Sequence, residues 1–313
     1  MSTTETEQPA NVPEEGRRCG FVTVLGPTNA GKSTLVNALV GTKIAIVSHK
    51  VQTTRAPIRG ILTEGSSQIV FTDTAGIFNP KRRLDRAMID AAWGGIEDAD
   101  VILLVIDAAT DPDDDTMKIV ERLKSAKSKR IAVLNKVDRV EDKTKLLKLA
   151  EKLDGALAFD KVFMISALEG KGVTDLKKHL LEIVPEGPWH YAEDDVTDVP
   201  MRTQAAEMTR ESIYRFLHQE LPYTTTVETL SWKTLKDGSA RVEQTIYVER
   251  DGQKKIVLGK GGATIKKISS SARKAIEEMA GHRIHLFLFV KVRENWESDP
   301  ERYREMGLPF PKS

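Results

Sequence analysis

The sequence predicts an α/β domain with a doubly wound, mostly parallel sheet, followed by a small α+β domain. Through residue 184, short apolar runs alternate with stretches of helical spacing, and an acidic, proline-containing stretch then spans 185–200. After it the order changes to helix, hairpin, helix, strand. Because parallel strands need crossover connections, the alternation favours helices on both faces of one sheet. The 313 residues are enough for two domains with their own cores.

Five apolar runs in the first part are the predicted strands. Their length and their Val, Ile and Leu content suit strands buried on both faces. They occupy residues 21–25, 68–71, 101–106, 131–134 and 162–165. We expect a disordered tail at 1–18, the α/β domain at 19–184, a linker at 185–200, the α+β domain at 201–300 and a C-terminal tail at 301–313.

Charge and cysteine content limit the classes of function. The chain has 47 Lys and Arg against 46 Asp and Glu, yet residues 201–313 hold 20 basic and 15 acidic side chains. We therefore expect a polyanionic partner at the C-terminal domain. The single cysteine, Cys19, excludes an internal disulfide and a thiolate metal site. Without a signal peptide or a long apolar run, the expected location is the cytoplasm.

The segment "GPTNAGKS" fits the phosphate-binding pattern G-x-x-x-x-G-K-[ST] between a predicted strand and a helix. Glycines let consecutive N–H groups turn toward phosphate oxygens, and the helix N-terminus adds positive charge. In this pattern Lys32 reaches the β- and γ-phosphates, and the Ser33 hydroxyl ligates Mg²⁺. The expected nucleotide contacts are Gly26, Pro27, Thr28, Asn29, Ala30, Gly31, Lys32, Ser33 and Thr34.

The motif "DTAG" at 73–76 ends the second predicted strand. Asp73 can hold Mg²⁺ through a water molecule, and the Gly76 N–H can contact the γ-phosphate. Ras-like proteins place a water-orienting Gln directly after this glycine, whereas this chain has Ile77, so slow hydrolysis is expected. A switch loop is expected at 50–57, where Thr53 or Thr54 could close on Mg²⁺. The nucleotide contacts expected here are Asp73, Thr74, Ala75, Gly76 and Ile77.

The motif "NKVD" at 135–138 predicts recognition of guanine. Asp138 can accept the N–H donors on N1 and N2, whereas adenine would leave this carboxylate unpaired at a cost of about 1–3 kcal/mol. "SAL" at 166–168 offers a backbone N–H to the guanine oxygen. All four motifs follow predicted strands, where an open parallel sheet binds ligands, and together they indicate GTP. The expected contacts are Asn135, Lys136, Val137, Asp138, Ser166, Ala167 and Leu168.

A second glycine cluster, "GKGG" at 259–262, lacks the Lys-[Ser/Thr] pair of a nucleotide loop. It fits the GXXG loop of a K homology (type II) domain, whose glycines let a single-stranded nucleic acid approach the backbone. Seven basic residues and no acidic one lie between Gly252 and Ile276. For the lysines alone, a solvated helix face is the alternative. The expected RNA contacts are Gly259, Lys260, Gly261, Gly262, Lys266, Lys267 and Arg273.

These segments together resemble the Era family of bacterial GTPases from Gly20 onward. The most specific ones are "NAGKSTLVNAL", "QTTR", "PEGPWHY", "HQELPY" and "LGKGGATIK". The resemblance implies slow hydrolysis of GTP to GDP, binding to the 3′ end of small-subunit ribosomal RNA, and a role in 30S maturation. It also implies a cytoplasmic protein with some peripheral association with the inner membrane. Many relatives have proline where this chain has Ala75.

The resemblance also assigns roles within the nucleotide site. It favours Thr54 over Thr53 as the magnesium ligand of the switch, and it places a potassium ion beside Asn29 in related GTPases. The expected metal ligands are then Ser33, Thr54 and Asp73, and Lys32 and Gly76 complete the catalytic set. Two alternatives remain, a membrane signalling GTPase whose second domain binds protein or anionic lipid, and an ATP-driven kinase or motor. No coiled-coil repeat is present, so a monomer is expected.

Overall fold

The computed structural model describes residues 16–294, 296 and 299–311. They form a six-stranded sheet with its helices and a three-stranded sheet with its helices. The expected disordered tail therefore lies almost wholly outside the described residues, and the first strand begins at Arg18. Within the described part of the chain, no helix is both long enough and apolar enough to cross a bilayer.

The first domain is the predicted doubly wound α/β domain. Its sheet has the order β2-β3-β1-β4-β5-β6, and every neighbouring pair except β2–β3 is parallel. The strands are β1 (Arg18–Leu25), β2 (Ile58–Glu64), β3 (Ser67–Asp73), β4 (Val101–Asp107), β5 (Lys129–Asn135) and β6 (Lys161–Met164). The helices are α1 (Lys32–Val40), α2 (Arg83–Gly94), α3 (Asp114–Leu123), α4 (Thr144–Ala156) and α5 (Val173–Ile183).

The two faces of this sheet bury separate apolar cores. Helices α1 and α5 pack on one face, which includes Leu103, and helices α2, α3 and α4 pack on the other, which includes Leu104. Side chains alternate along a strand, so a strand covered on both faces needs apolar residues in succession. The run "VILLVI" in β4 meets that need, and for this reason the central strands were predictable.

The sequence analysis missed strand β2. It pairs antiparallel with β3, from Ile58 opposite Asp73 to Glu64 opposite Ser67. Its sequence "IRGILTE" contains a glycine and two charges, so it has neither a continuous apolar run nor a clean alternation. The strand forms because β3 offers a free edge, which is a property of the assembled sheet.

The second domain is a small α+β domain with the element order of a type II K homology domain. It contains α6 (Met201–Phe216), β7 (Thr226–Thr234), β8 (Ala240–Val248), α7 (Asp251–Leu258), α8 (Ala263–Ala280) and β9 (Ile284–Val292). Strand β8 lies between β7 and β9, antiparallel to the first and parallel to the second. Helix α7 was not predicted, because its 8 residues are too few to show helical periodicity.

The linker and the C-terminal segment are both held against the first domain. In the linker, Val196 accepts a hydrogen bond of 2.9 Å from the Ile61 N–H of β2, and Tyr191 accepts one of 3.0 Å from Gln68. The expected C-terminal tail contains helix α9 (Pro300–Glu305). Its Tyr303 is fully buried in an apolar cluster with Leu84 and Met88 of α2. These segments therefore fix how the domains sit against each other.

Candidate nucleotide and RNA sites

The loop between β1 and α1 has a backbone that requires its two motif glycines. Gly26 has φ 150°, and a Cβ placed there would lie 2.1 Å from the Val105 carbonyl oxygen. Gly31 has φ 96°, and its Cβ would lie 2.3 Å from the Nδ2 of Asn135. Any side chain at either position would overlap the neighbouring strand ends, so the loop conformation and its place on the sheet are coupled.

Lys32 is buried beneath this loop. Its Nζ donates hydrogen bonds to the carbonyl oxygens of Gly26 at 3.1 Å and Pro27 at 2.9 Å. Burial lowers the pKa of Lys32 to about 8, and the nearby Asp73 carboxylate opposes that shift. An ammonium group that is removed from water gains more than an exposed one from a bound phosphate. The site therefore suits a polyphosphate.

Three oxygen-bearing side chains meet at the start of α1. The Ser33 Oγ donates to the Asp73 Oδ2 at 2.6 Å and lies 2.9 Å from the Thr54 Oγ1. The Asp73 side chain is fully buried, and its Oδ1 has no hydrogen-bond partner among the described residues. Hard oxygen donors with one orphaned carboxylate oxygen fit a magnesium ion. Burial raises the pKa of Asp73 to about 6, and the hydrogen bond from Ser33 and the charge of Lys32 oppose this shift.

The structure separates the roles of the two switch threonines. The Thr54 hydroxyl lies 3.3 Å from the Asp73 Oδ2, whereas the Thr53 hydroxyl donates to the Lys50 carbonyl oxygen at 2.9 Å. Only Thr54 therefore joins the oxygen cluster. The residues alone left both threonines open, because adjacent residues in an irregular loop cannot be assigned a direction from their pattern, whereas the resemblance to the Era family favoured Thr54.

The "DTAG" loop is docked on the phosphate-binding loop. The Ile77 N–H donates to the Gly26 carbonyl oxygen at 3.0 Å, and a Cβ on Gly76 would lie 2.7 Å from the Thr28 Cα. The Ile77 side chain is buried in the apolar cluster under α2, α3 and α4. It therefore supplies no polar group to orient a water molecule. Side chains of three further expected contacts are also buried, so only their backbones could face a ligand: Ala30, Thr74 and Ala75.

The base-recognition motifs are tied together by Asn135. Its Nδ2 donates to the Ala30 carbonyl oxygen at 2.8 Å, and its Oδ1 accepts from the Ala167 N–H at 2.9 Å. One buried amide thus links the phosphate loop with "NKVD" and "SAL". The Ala167 N–H therefore donates to Asn135 in this structure. The next residue, Leu168, is 77% exposed and lies at the solvent side of the cleft.

Lys136 and Asp138 flank the expected base position. Lys136 has φ 65°, and its Nζ forms an ion pair of 2.6 Å with Asp107 at the end of β4. Asp138 is exposed, and a hydrogen bond from the Ser166 hydroxyl is the main cause that lowers its pKa below the ordinary value. A charged, acceptor-only carboxylate is what the two guanine N–H groups require. Val137 donates its N–H to the Ile165 carbonyl oxygen and is half-buried.

A cleft of about 260 Å³ collects most of these groups. It also includes residues outside the expected motifs, above all residues 46–49, just before the expected switch loop, and Arg139. The Asn29 Nδ2 donates to the His49 carbonyl oxygen at 3.3 Å, which brings the first of these segments to the phosphate loop. No motif identified residues 46–49, and the contact of His49 with Asn29 is made by its backbone carbonyl. Asp107 could have been found, since it directly follows the predicted strand at 101–106 and ends the observed strand β4.

The switch loop is clasped by the second domain on both sides of Thr54. The Arg210 Nη2 of α6 donates to the Thr53 carbonyl oxygen at 2.6 Å. The Arg55 guanidinium is buried and donates to the carbonyl oxygens of Thr225 at 2.9 Å and Tyr223 at 2.9 Å. Thr54 is therefore flanked by two residues that are bonded to the other domain.

The "GKGG" loop joins α7 to α8 and is open to solvent. Gly259 has φ 73°, and its Cβ would lie 2.3 Å from the Thr264 Oγ1, so packing explains this glycine. Gly261 has φ 59°, and its Cβ would meet nothing within 4 Å. The space above Gly261 is therefore free for a ligand backbone. Gly262 has φ 79°, and Lys260 between the glycines is exposed.

Two of the expected basic contacts line a groove of about 380 Å³ beside this loop. Lys266 and Arg273 of α8 lie on one side of it, and Leu288 of β9 lies on the other. Arg273 also forms an ion pair of 3.1 Å with Glu277. Lys267 is exposed and is not among the residues that line this groove. The groove therefore brings together a basic wall and an apolar wall, as a strand of nucleotides would need.

The fold and these sites define a P-loop GTPase that carries a K homology domain. Family models agree, since residues 21–136 match a family described as a 50S ribosome-binding GTPase and residues 220–297 match a KH domain. GTPase Era of Brucella suis is 60% identical over 294 residues, 94% of each chain. GTPase Era of Afipia carboxidovorans is 58% identical over 307 residues, 97% of this chain and 99% of the relative. The chain belongs to the Era family of GTPases.

Solved structures of that family have the same fold. One is Era in complex with MgGDPNP and nucleotides 1506–1542 of 16S ribosomal RNA, with a TM-score of 0.88, 34% identity and coverage of 93% of this chain and 99% of that one. A variant of Aquifex aeolicus Era bound to GDP·AlF4⁻ matches with the same TM-score, identity and coverage. The likeness spans both domains and their arrangement.

Proposed function

We propose that this protein hydrolyses GTP slowly and uses the nucleotide to control binding to the 3′ end of small-subunit ribosomal RNA, in support of 30S maturation. In this proposal residues 19–184 form the nucleotide switch and residues 201–300 hold the RNA. The position of Thr54 carries the proposal. Its hydroxyl belongs to the magnesium cluster, while Thr53 and Arg55 on either side are bonded to the second domain.

This arrangement supports a mechanical link between the two ligands. Mg²⁺ on GTP would hold Thr54 in place, and hydrolysis would release it. The carbonyl of Thr53 and the side chain of Arg55 would then move with Thr54, because each is joined to it by a single planar peptide unit of fixed length. Helix α6, which holds Thr53 through Arg210, packs against helix α8 of the RNA groove. Nucleotide state is therefore transmitted through packed elements.

The chemistry proposed is attack of water on the γ-phosphate. Bound Mg²⁺ would supply positive charge at the β- and γ-phosphates, held by Ser33, Thr54 and Asp73. The Lys32 ammonium and the loop amides would stabilise charge that develops in the transition state. Since Ile77 offers no polar group, we propose that a potassium ion beside Asn29 assists instead. The Asn29 side-chain oxygen and the neighbouring backbone oxygens are suitable hard ligands.

The RNA assignment rests on the open GXXG loop and on the solved relative that holds nucleotides 1506–1542 of 16S ribosomal RNA. The family that matches the first domain is described as a 50S ribosome-binding GTPase, and 50S is the large subunit. The choice of subunit is therefore tested directly. We further propose a monomer in the cytoplasm, with peripheral association with the inner membrane. The basic side chains of α8 would meet either RNA or anionic headgroups, and the test must separate them.

The decisive experiment measures affinity for a small-subunit 3′-end RNA with a non-hydrolysable GTP analogue and with GDP. We expect at least about tenfold tighter binding with the analogue, within the usual range of coupling between sites. Gly261→Asp should remove RNA binding, because it puts a negative charge where the phosphates pass. Gly252→Asp is the matched control, since that glycine also has free space around it but lies at the start of α7.

The same samples give the hydrolysis rate, with and without RNA, in potassium and in sodium. Faster hydrolysis in potassium supports the ion beside Asn29. Equal RNA affinity in both nucleotide states and a rate that neither RNA nor potassium changes would refute the switch. Equal affinity for ATP and GTP would favour the alternative of an ATP-driven kinase or motor. Binding of anionic vesicles that survives Gly261→Asp, without RNA binding, would favour the membrane signalling class.

A further inference from the structure

The three-stranded sheet has one face that the helices α6 and α8 do not cover. These helices pack on the side that carries Val242, Ile246 and Leu288. Because side chains alternate along a strand, the residues between them point to the opposite side. We call this side the open sheet face. On β8 and β9 it consists of Arg241, Glu243, Thr245, Tyr247, His285, Phe287, Phe289 and Lys291.

The C-terminal helix α9 covers one end of the open sheet face. Its Arg302 lies over the Tyr247 ring, 5.9 Å from the centroid, and forms an ion pair with Glu228 of β7. The other end is uncovered, and there Phe287 and Phe289 remain 42% and 49% exposed. Phe287 and Phe289 are two positions apart on one strand, so their rings form one contiguous apolar patch, and exposed apolar patches are found at interaction sites.

The charges around these two rings favour a polyanion. The Arg241 guanidinium lies 4.5 Å from the Phe287 ring centroid and also pairs with Glu243 at 2.8 Å. Strand β9 carries His285 and Lys291 and no acidic residue. Within the described part of the chain, Lys291 forms no ion pair. A protein partner would need an apolar or acidic surface of matching shape. A single-stranded nucleic acid has both groups that this face suits, because its bases can stack on the two phenylalanine rings and its phosphates can pair with the cations.

The open sheet face is continuous with the RNA groove. Strand β9 is the edge of the sheet, and Leu288, which lines the groove, lies between Phe287 and Phe289. A nucleic-acid strand that leaves the groove therefore has to cross only the edge of β9 to reach the two rings. We propose that the open sheet face binds further nucleotides of the same RNA strand, by stacking of bases on Phe287 and Phe289.

This inference rests on the proposed RNA binding and extends it to a second subsite. The GXXG loop clamps about four nucleotides, so an RNA of about five fills only the groove, and one of about ten can reach the open sheet face. The test compares these two lengths of 3′-end RNA by fluorescence anisotropy at one salt concentration. The variants are Phe287→Ala with Phe289→Ala, and the control is Leu147→Ala, an exposed apolar residue of α4.

We expect the double variant to lose about 25-fold in affinity for the longer RNA, about fivefold per stacked base. Its affinity for the short RNA should stay within about twofold of the original, and the control should change neither. The dependence on salt should be unchanged, because no charge is lost, whereas Lys291→Ala should lower the slope by about one unit. Phe289→Trp should keep the affinity and show quenching of the new indole by the longer RNA.

The outcomes separate this inference from the proposed function. Wild-type binding to both RNAs with an unaffected double variant refutes the open-face subsite, including the case in which a protein occupies it. Equal losses for both RNAs refute it as well, since they indicate damage to the groove. Absence of wild-type binding to either RNA refutes the RNA function and this inference together. Thermal unfolding of each variant confirms that these exposed substitutions leave the fold intact.

Discussion

The Arg210 guanidinium donates a hydrogen bond of 2.6 Å to the carbonyl oxygen of Thr53, 157 positions earlier in the chain. Arg210 is fully buried and also paired with Glu207 of the same helix, so its position is fixed by α6. The next residue of the switch, Thr54, has its hydroxyl 2.9 Å from the Ser33 Oγ, in the oxygen cluster that would hold magnesium. A single buried side chain of the RNA-binding domain therefore holds the segment that would sense the γ-phosphate.

The first prediction concerns the other side of this contact. Arg55→Lys should remove the dependence of RNA affinity on nucleotide, because one ammonium cannot replace the fork that bonds to Thr225 and Tyr223. Affinity for GTP should change by less than about threefold, since neither Thr225 nor Tyr223 lines the nucleotide cleft. RNA titrations in both nucleotide states check this. Arg59→Lys is the control, because Arg59 forms an exposed ion pair with Asp198.

The second prediction separates binding from stability at Lys32. Lys32→Met should weaken GTP binding by about 100-fold, through the loss of charged contacts to phosphate. The empty protein should be no less stable, because burial of this ammonium is unfavourable, as its lowered pKa of about 8 indicates. Lower stability of the variant at pH 7 would contradict this explanation.

The pH dependence of stability provides a further check on Lys32. Its pKa of about 8 in the folded protein is below the ordinary value of 10.5. Between these values the unfolded chain holds more protons, so the free energy of unfolding should rise with pH. That rise should be absent in Lys32→Met. Urea unfolding at pH 7.5 and 9.5 measures both.

The third prediction concerns magnesium and pH. The pKa of Asp73 is raised to about 6, so its carboxylate is protonated below that pH in the metal-free protein. A metal ion must displace this proton, and Mg²⁺ affinity should fall about tenfold for each pH unit below 6. Magnesium titrations of nucleotide binding between pH 5 and 7.5 test this. Asp73→Asn should bind Mg²⁺ weakly and without this pH dependence.

The fourth prediction concerns the choice of base. Asp138→Asn replaces an acceptor-only group with an amide that donates and accepts, so it no longer matches the N1 and N2 donors of guanine. GTP affinity should fall by about 100-fold, and XTP, which has an oxygen in place of the N2 amine, should bind better than GTP. Competition with labelled GDP measures both. The exposed Asp142→Asn should alter neither affinity.

The fifth prediction uses two glycines with positive φ. Gly26→Ala should destabilise the protein by about 3 kcal/mol or more, because its Cβ would overlap the Val105 carbonyl oxygen at 2.1 Å. Gly41→Ala, at φ 84° but with free space around it, should cost only the strain of about 1–2 kcal/mol. Equal losses in chemical unfolding would show that contact with Val105 is unimportant.

Much of the nucleotide site could be predicted from local patterns. The phosphate loop, "DTAG", "NKVD" and "SAL" each follow a run apolar enough to be a buried strand, and a parallel sheet must bring those ends together. Strand β2 and helix α7 could not be predicted, because one depends on the free edge of β3 and the other is too short to show a period. The residues alone did not separate Thr53 from Thr54, the resemblance favoured Thr54, and the path of the loop between Ser33 and the second domain places the Thr54 hydroxyl beside Asp73.

The sequence alone determined the two domains, the positions of five strands along the chain and the residue types that suit GTP, magnesium and RNA. These properties follow from short-range chemistry, since apolar runs, glycine positions and charge are set by neighbouring residues. The tertiary structure decided which groups act together: Arg210 and Arg55 on the switch, Tyr303 against α2, and Phe287 and Phe289 on an uncovered face. Such contacts join residues far apart in the chain, and only the packing of the folded protein brings them together.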